Sequence, residues 1–289
     1  MSRPSTFVPP VCARAGVLGT DRGEFAVLDA WPGEGPGRGT ALLLPGYTGS
    51  KEDFVALLEP ISAAGYRCVA VDGRGQYETP GPDDPEAYAQ QELALDVLAQ
   101  AAAAGASGRV HLLGHSLGGQ IARAAVLLDA RPFRSLTLMS SGPARISPSQ
   151  RSRVELLSGA LQTMEMAEVW AAIQALEPPE ETDTDHNAPD LRARWLRHNP
   201  AQLIATGAQL AGEPDRVDEL ARVPLPMHVL SGDHDETWPV PLIDEMAVRL
   251  GAHRTVVAGA DHSPNTDRPG PTASALVEFW TGADTRASR

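Results

Sequence analysis

Between an apolar β-like run, residues 109–113, and an alanine-rich helical run, residues 120–128, the chain reads Gly114-His115-Ser116-Leu117-Gly118. A strand that passes directly into a helix must reverse within very few residues. Glycines two before and two after a serine suit a turn too tight for a Cβ at either place. Such a turn lifts the serine hydroxyl out of the sheet and aims the first N–H groups of the new helix beside it. Ser116 is therefore a candidate nucleophile. The competing reading is an ordinary glycine-rich turn.

The surrounding pattern supports the first reading. Residues 11–18 and 24–31 alternate like strands around a hairpin-type turn at 19–23. Residues 32–39 form a Gly/Pro-rich loop, and 40–44 an apolar strand suited to burial on both faces. Residues 51–64 carry Phe54, Leu57, Leu58 and Ile61 at helical spacing and stop at Gly65. A strand over 66–71, a proline-rich loop over 79–85, a helix over 86–104 and a strand over 135–140 follow. The order strand, helix, strand, helix implies parallel strands with right-handed crossovers, and ligands then bind beyond the strands' C-terminal ends. The fold class is α/β, with a mostly parallel central sheet flanked by helices.

After Ser141-Gly142-Pro143 the alternation stops. Segments 148–159, 163–176, 189–197, 200–211 and 215–221 are helix-like, with an acidic, proline-containing loop at 177–185. The strand pattern resumes at 226–230. It continues with a helix over 240–250, a strand over 253–257 and a final helix over 272–280, leaving 282–289 as a frayed tail. This divides the chain into a first core part (1–142), an all-helical insertion (143–223) and a second core part (224–289).

Composition narrows the partners. The chain has 289 residues, a formal net charge of -13 and one lysine, Lys51. Such an acidic chain is a poor nucleic-acid binder and is not drawn to anionic membranes. No apolar run is long enough to span a bilayer, and residues 1–10 lack the apolar core of a secretory signal, so a cytoplasmic location is expected. Cys12 and Cys68 form neither a CxxC pair nor a zinc spacing. Oligomeric state is not written in the sequence, and a homo-oligomer stays open.

The elbow at Ser116 resembles the nucleophile elbow of the α/β-hydrolase superfamily, and four further motifs extend the resemblance from about Val11 to Trp280. Pro45-Gly46-Tyr47 is similar to the superfamily's oxyanion loop, with proline where histidine is usual. The resemblance implies that the N–H groups of Tyr47 and Leu117 form the oxyanion hole. A simple turn capping the next helix through Ser50 is the alternative there. Asp72-Gly73-Arg74-Gly75 resembles the Asp-x-Arg-Gly loop, with Arg74 pinning it. Gly232-Asp233-His234-Asp235 resembles the acid loop and maps the triad acid to Asp235, with Asp233 as its rival. His262 stands where the superfamily places its general base, with Asp261 where glycine is common. His115 is expected to point away from the pocket.

The resemblance implies a serine hydrolase acting on a small-molecule carboxylic ester or related acyl compound, without metal or organic cofactor. It equally admits cofactor-free haloperoxidase or perhydrolase chemistry, carbon–carbon bond, amide or lactone hydrolysis, and acyl transfer. A non-catalytic ligand-binding protein on the same fold is the alternative of another class. The insertion resembles the cap of many members. Leu157, Leu161, Met164, Met166, Trp170, Trp195 and Leu203 are its candidate pocket liners, each also a candidate for cap core.

Overall fold

In the computed structural model, residues 2–33, 37–105, 108–176 and 187–287 are described. Eight strands form one sheet: β1 (Ala13–Thr20), β2 (Gly23–Ala30), β3 (Gly39–Leu44), β4 (Tyr66–Val71), β5 (Val110–His115), β6 (Phe133–Met139), β7 (Met227–Gly232) and β8 (His253–Val257). Their spatial order is β1-β2-β4-β3-β5-β6-β7-β8. β1 and β2 are an antiparallel hairpin laid antiparallel on β4, and every later pairing is parallel. The chain goes from β3 outward to β4 and then back across to β5. The strand order therefore reverses at the β3–β5 junction, where the loops after the two strands diverge and leave a crevice.

Strand alternation sorts the core into two layers. Leu42 and Leu44 face one side of the sheet with Val69, Val71, Leu112, Leu136 and Val229, packing on α2 (Gln90–Ala104), α3 (Leu117–Leu128) and later α9 (Val240–Leu250). Ala41 and Leu43 face the other side with Ala70, Leu113 and Leu230, under α1 (Val55–Ala63) and α11 (Pro269–Ala287). Two adjacent residues thus serve opposite layers, as the two-residue period of a strand requires.

Several boundaries differ from the sequence reading for local reasons. The helix expected over 51–64 begins as a 3-10 turn, Lys51–Phe54, and becomes α-helical only at Val55. The helix expected from residue 86 is split: Pro85–Tyr88 is a 3-10 turn, and Ala89 (ψ 142°) is extended before α2 starts. The Tyr88 hydroxyl donates to the Pro82 carbonyl at 2.7 Å and ties that turn to its own loop. The expected frayed tail is instead the end of α11, which continues to Ala287 with Ala283 and Trp280 buried. The acidic stretch 177–185 lies outside the described residues.

Between β6 and β7 the described chain is helical, with α4 (Pro148–Leu161), α5 (Met166–Leu176), α6 (Ala188–Arg197), α7 (Pro200–Gly212) and α8 (Val217–Leu220). Arg123 of α3 ties this region to the core. Its Nη1 donates to the Pro143 carbonyl at 2.6 Å and its Nη2 to Glu213 Oε1 at 2.6 Å, so it grips both ends of the α4–α7 excursion. Both side chains are buried, and Glu213 Oε2 accepts from Gln90. Removing one member of such a pair leaves a charge stranded out of water. Arg123→Leu is expected to cost about 3–5 kcal/mol in urea unfolding. Arg131→Leu, at a solvent-exposed ion pair, should leave the midpoint where it is.

Candidate active site

Ser116 follows β5 directly and caps α3 with φ 54° and ψ −118°, a backbone conformation rare for any residue but glycine. A Cβ on Gly114 would collide with the Gly118 carbonyl. One on Gly118 would lie 2.5 Å from the Pro45 oxygen and 2.6 Å from the Leu44 oxygen. The two glycines of the motif therefore serve different contacts. Gly114 lets the turn fold onto itself, and Gly118 lets the first turn of α3 rest on the end of β3.

The structure brings the three side chains singled out in the sequence into one hydrogen-bonded row. Asp235 Oδ2 lies 2.9 Å from His262 Nδ1, and His262 Nε2 lies 3.0 Å from Ser116 Oγ. Asp235 Oδ1 accepts from the backbone N–H groups of Thr237 (2.7 Å) and Trp238 (3.1 Å), so the carboxylate is anchored and its second oxygen faces the imidazole. A carboxylate can only accept from Nδ1–H, which leaves Nε2 as the acceptor for the serine hydroxyl. Asp233, the rival, instead accepts the Gly259 N–H at 2.9 Å and braces the loop after β8. Gly232 sits where the two loops cross, and a Cβ there would strike the Ala260 and Asp261 carbonyls.

The Gly46–Tyr47 loop lies beside the serine. Gln76 Nε2 donates to the Gly46 carbonyl at 2.9 Å, and Gln76 Oε1 accepts the Gly73 N–H at 3.0 Å. A trans peptide points its C=O and N–H in opposite directions, so holding the Gly46 carbonyl fixes the Tyr47 N–H. Gln76 thus braces a loop in which Pro45 offers no side-chain donor, a role not read from the sequence. The N–H groups of Tyr47 and Leu117 donate to none of the described residues. Ser50, named in the alternative reading of this loop as the cap of the next helix, donates its N–H to Asp53 Oδ2 at 3.3 Å.

Charged groups brace this loop from below. Lys51 Nζ, almost fully buried, contacts Glu52 (2.9 Å), Asp72 (2.8 Å) and Glu78 (2.7 Å). The buried Asp53 pairs with Arg194 of α6 at 2.7 Å, and its carbonyl accepts from Asn265 beyond His262 at 2.7 Å. Arg74 pins its loop as expected, through Asp96 of α2.

A cavity of about 550 Å³ opens over the serine. Its lining includes Gly46, Tyr47, Ser116, His262, Val154 of α4 and Leu210 of α7. The apolar residues named from sequence as liners do not reach it. Leu161, Trp195 and Leu203 form a separate buried cluster with Leu157, Met166 and Trp170, and Met164 is exposed. Their helical spacing reflects the packing of the insertion on itself. His115 sits beneath the loop that carries His262. Its ring is almost fully buried, and its Nε2–H donates to the His262 carbonyl at 2.9 Å.

Burial pushes the His115 and His198 imidazoles down to about 4 and that of His228 down to about 3, from an ordinary value near 6.5. Between those values the unfolded chain binds protons that the folded chain refuses. The contribution of these rings is thus intact above pH ~6.5 and lost as pH falls towards ~4. His228→Gln should flatten the acid decline of the urea midpoint relative to the unaltered chain, measured in steps from about pH 7.5 to 4.5. An equally steep decline would contradict the assignment.

The model of the alpha/beta hydrolase family matches residues 41–275. The chain is 30% identical over 226 residues to a pimeloyl-[acyl-carrier protein] methyl ester esterase of Aeromonas hydrophila, covering 73% of this chain and 83% of that protein. It is 29% identical to the esterase of the same name from Edwardsiella ictaluri, covering 87% and 97%. A thermophilic esterase from Thermogutta terrifontis superposes with a TM-score of 0.74 at 21% identity, covering 94% of this chain and 100% of that one. The chain belongs to the alpha/beta hydrolase family, and is an enzyme of the hydrolase class within it.

Proposed function

We propose that the protein hydrolyses a small-molecule carboxylic ester through an acyl-enzyme on Ser116. The continuous hydrogen-bonded row Asp235–His262–Ser116 carries this reading. His262 Nε2 takes the proton of Ser116 as Oγ attacks the acyl carbon. The anchored Asp235 carboxylate stabilises the imidazolium that forms. The negative charge on the former carbonyl oxygen is met by the N–H groups of Tyr47 and Leu117, the first held by Gln76 and the second carried on the first residue of α3. As the tetrahedral species collapses, the imidazolium protonates the leaving alkoxide. Water then gives a proton to the same nitrogen and attacks the acyl-enzyme, and Ser116 leaves with that proton as the acid is released.

The relatives named as methyl ester esterases support the ester reading. Residues 1–142 and 224–289 are read as the core and 143–223 as a cap that walls the cavity through α4 and α7. No helix among the described residues is long and apolar enough to cross a membrane. Cys12 and Cys68 are both free, in keeping with a reducing, cytoplasmic setting.

A fluorophosphonate should attach to Ser116, as located by peptide mass spectrometry, and His262→Ala should suppress the adduct. Ser116→Ala should lose ester turnover while retaining its unfolding midpoint. A folded Ser116→Ala with undiminished turnover would sink the mechanism. Gln76→Leu removes the brace but no reacting group. It is expected to lower kcat by roughly tenfold to a hundredfold with KM little changed, less than or at the lower edge of the loss for deleting an oxyanion donor outright.

A further inference from the structure

One wall of the cavity over Ser116 belongs neither to the loops of the parallel sheet nor to the helical insertion. Ser2 and Arg3, which precede β1, line the cavity together with Thr48, Gly49 and Thr266. Residues 2–7 form no helix or strand, so they are held in place from outside. Arg194 of α6 supplies much of the hold. Its Nη2 donates to the Ser2 carbonyl at 2.6 Å, and its guanidinium lies 5.7 Å from the Phe7 ring. Asn187, just before α6, donates through Nδ2 to the Ser5 carbonyl at 2.8 Å and the Pro4 carbonyl at 3.3 Å. Pro4 itself is buried.

Arg194 is fixed in turn. It is fully buried, and its Nη1 donates to Asp53 Oδ1 at 2.7 Å and to Ser50 Oγ at 3.4 Å. A planar guanidinium with one arm on a buried carboxylate has little freedom in where its other arm points. The Asp53 carbonyl accepts from Asn265 of the short helix α10 (Pro264–Asp267), three residues past His262. Residues 2–3 are thereby set beside the loop that follows His262 as well as the loop that follows β3.

That position decides which part of an ester they meet. On the proposed mechanism the carbonyl oxygen points at the N–H groups of Tyr47 and Leu117. The leaving oxygen must lie within hydrogen-bond reach of His262 Nε2, which gives it a proton. The alcohol part of the ester then extends along the His262 side, towards Thr266 and residues 2–3. The acyl part takes the remaining direction, under Ile146, Val154 and Leu210, the aliphatic side chains of the lining.

We propose that residues 2–7 are a specificity-determining wall that limits the size of the leaving alcohol, and that Arg194 is the residue that positions it. The proposal rests on the reading of Ser116 as the nucleophile. Methyl butyrate, hexyl butyrate and methyl octanoate test it, through kcat/KM in the unaltered chain and in two variants. One variant lacks residues 2–7. The other, Arg194→Lys, keeps the full chain, but a single ammonium cannot reproduce the fork that holds Asp53 and the Ser2 carbonyl together.

In the unaltered chain hexyl butyrate should be about tenfold poorer than methyl butyrate. Removing residues 2–7 should raise the hexyl-to-methyl ratio by about tenfold, and Arg194→Lys should raise it in the same direction. The octanoate-to-butyrate ratio of the methyl esters should stay within about twofold in both variants. Each ratio is taken within one protein, so a loss of folded fraction cancels, and a merely structural role for the segment would move neither ratio. Where the shortened chain does not fold, Arg194→Lys alone decides. A hexyl-to-methyl ratio near one in the unaltered chain, one preserved when the wall is opened, or an equal or larger change in the acyl ratio overturns the proposal while fluorophosphonate labelling of Ser116 still stands. Failure to turn over any of the three esters, with Ser116 unlabelled, overturns the ester-hydrolase reading and this one with it.

Discussion

The backbone of Gly118 rests on the carbonyl oxygens of Leu44 and Pro45, and the site depends on that contact. It is the point where the first turn of α3 meets the end of β3, across the junction at which the strand order reverses. Because no side chain intervenes, the N–H of Leu117 and the loop carrying Tyr47 come to the same place beside Ser116. A methyl group at position 118 would wedge the helix off the strand and separate the two N–H groups proposed to hold the oxyanion. The positive φ of Ser116 is the local cost of this arrangement, offset by the buried layers that clamp β5 on both faces.

Much of this was readable in advance because it depends on spacing. Gly114, Ser116 and Gly118 announce their turn because the steric demand is confined to five residues. Asp235 and His262 were found by their positions after β7 and β8, and the parallel sheet then delivers them to one edge. The strands of the parallel core were legible because burial on both faces leaves uninterrupted apolar runs. What escaped reading depends on partners distant in sequence. Gln76 resembles any polar loop residue until Gly46, thirty positions away, is placed against it. The partner of the His115 ring, the His262 carbonyl, is likewise invisible in the sequence. The apolar residues of the insertion have one helical pattern whether they face a ligand or each other, and here they face each other.

Charge is organised with similar economy around the loop that follows β3. Lys51, the sole lysine, is spent inside the protein among three carboxylates, and Arg194 reaches from α6 to the buried Asp53. Such pairs contribute little net stability compared with a well-packed apolar substitute, but they penalise any arrangement that separates them. Arg194 also donates to the Ser2 carbonyl at 2.6 Å, so the segment bordering the cavity is held by the same guanidinium. Registration of three distant segments, more than added stability, is what these groups supply.

The Tyr47 side chain has a consequence of its own. Its hydroxyl donates to the Leu203 carbonyl of α7 at 2.8 Å, while its backbone N–H belongs to the peptide that Gln76 fixes. One residue thus belongs to the roof by its ring and to the reaction centre by its amide. A displacement of α7 would pull on that amide before any side chain of the Ser–His–Asp row was disturbed. On the proposed mechanism, roof position and electrophilic assistance are therefore a single mechanical variable, and a site prised open would lose its grip on the developing charge while Ser116 remained in place.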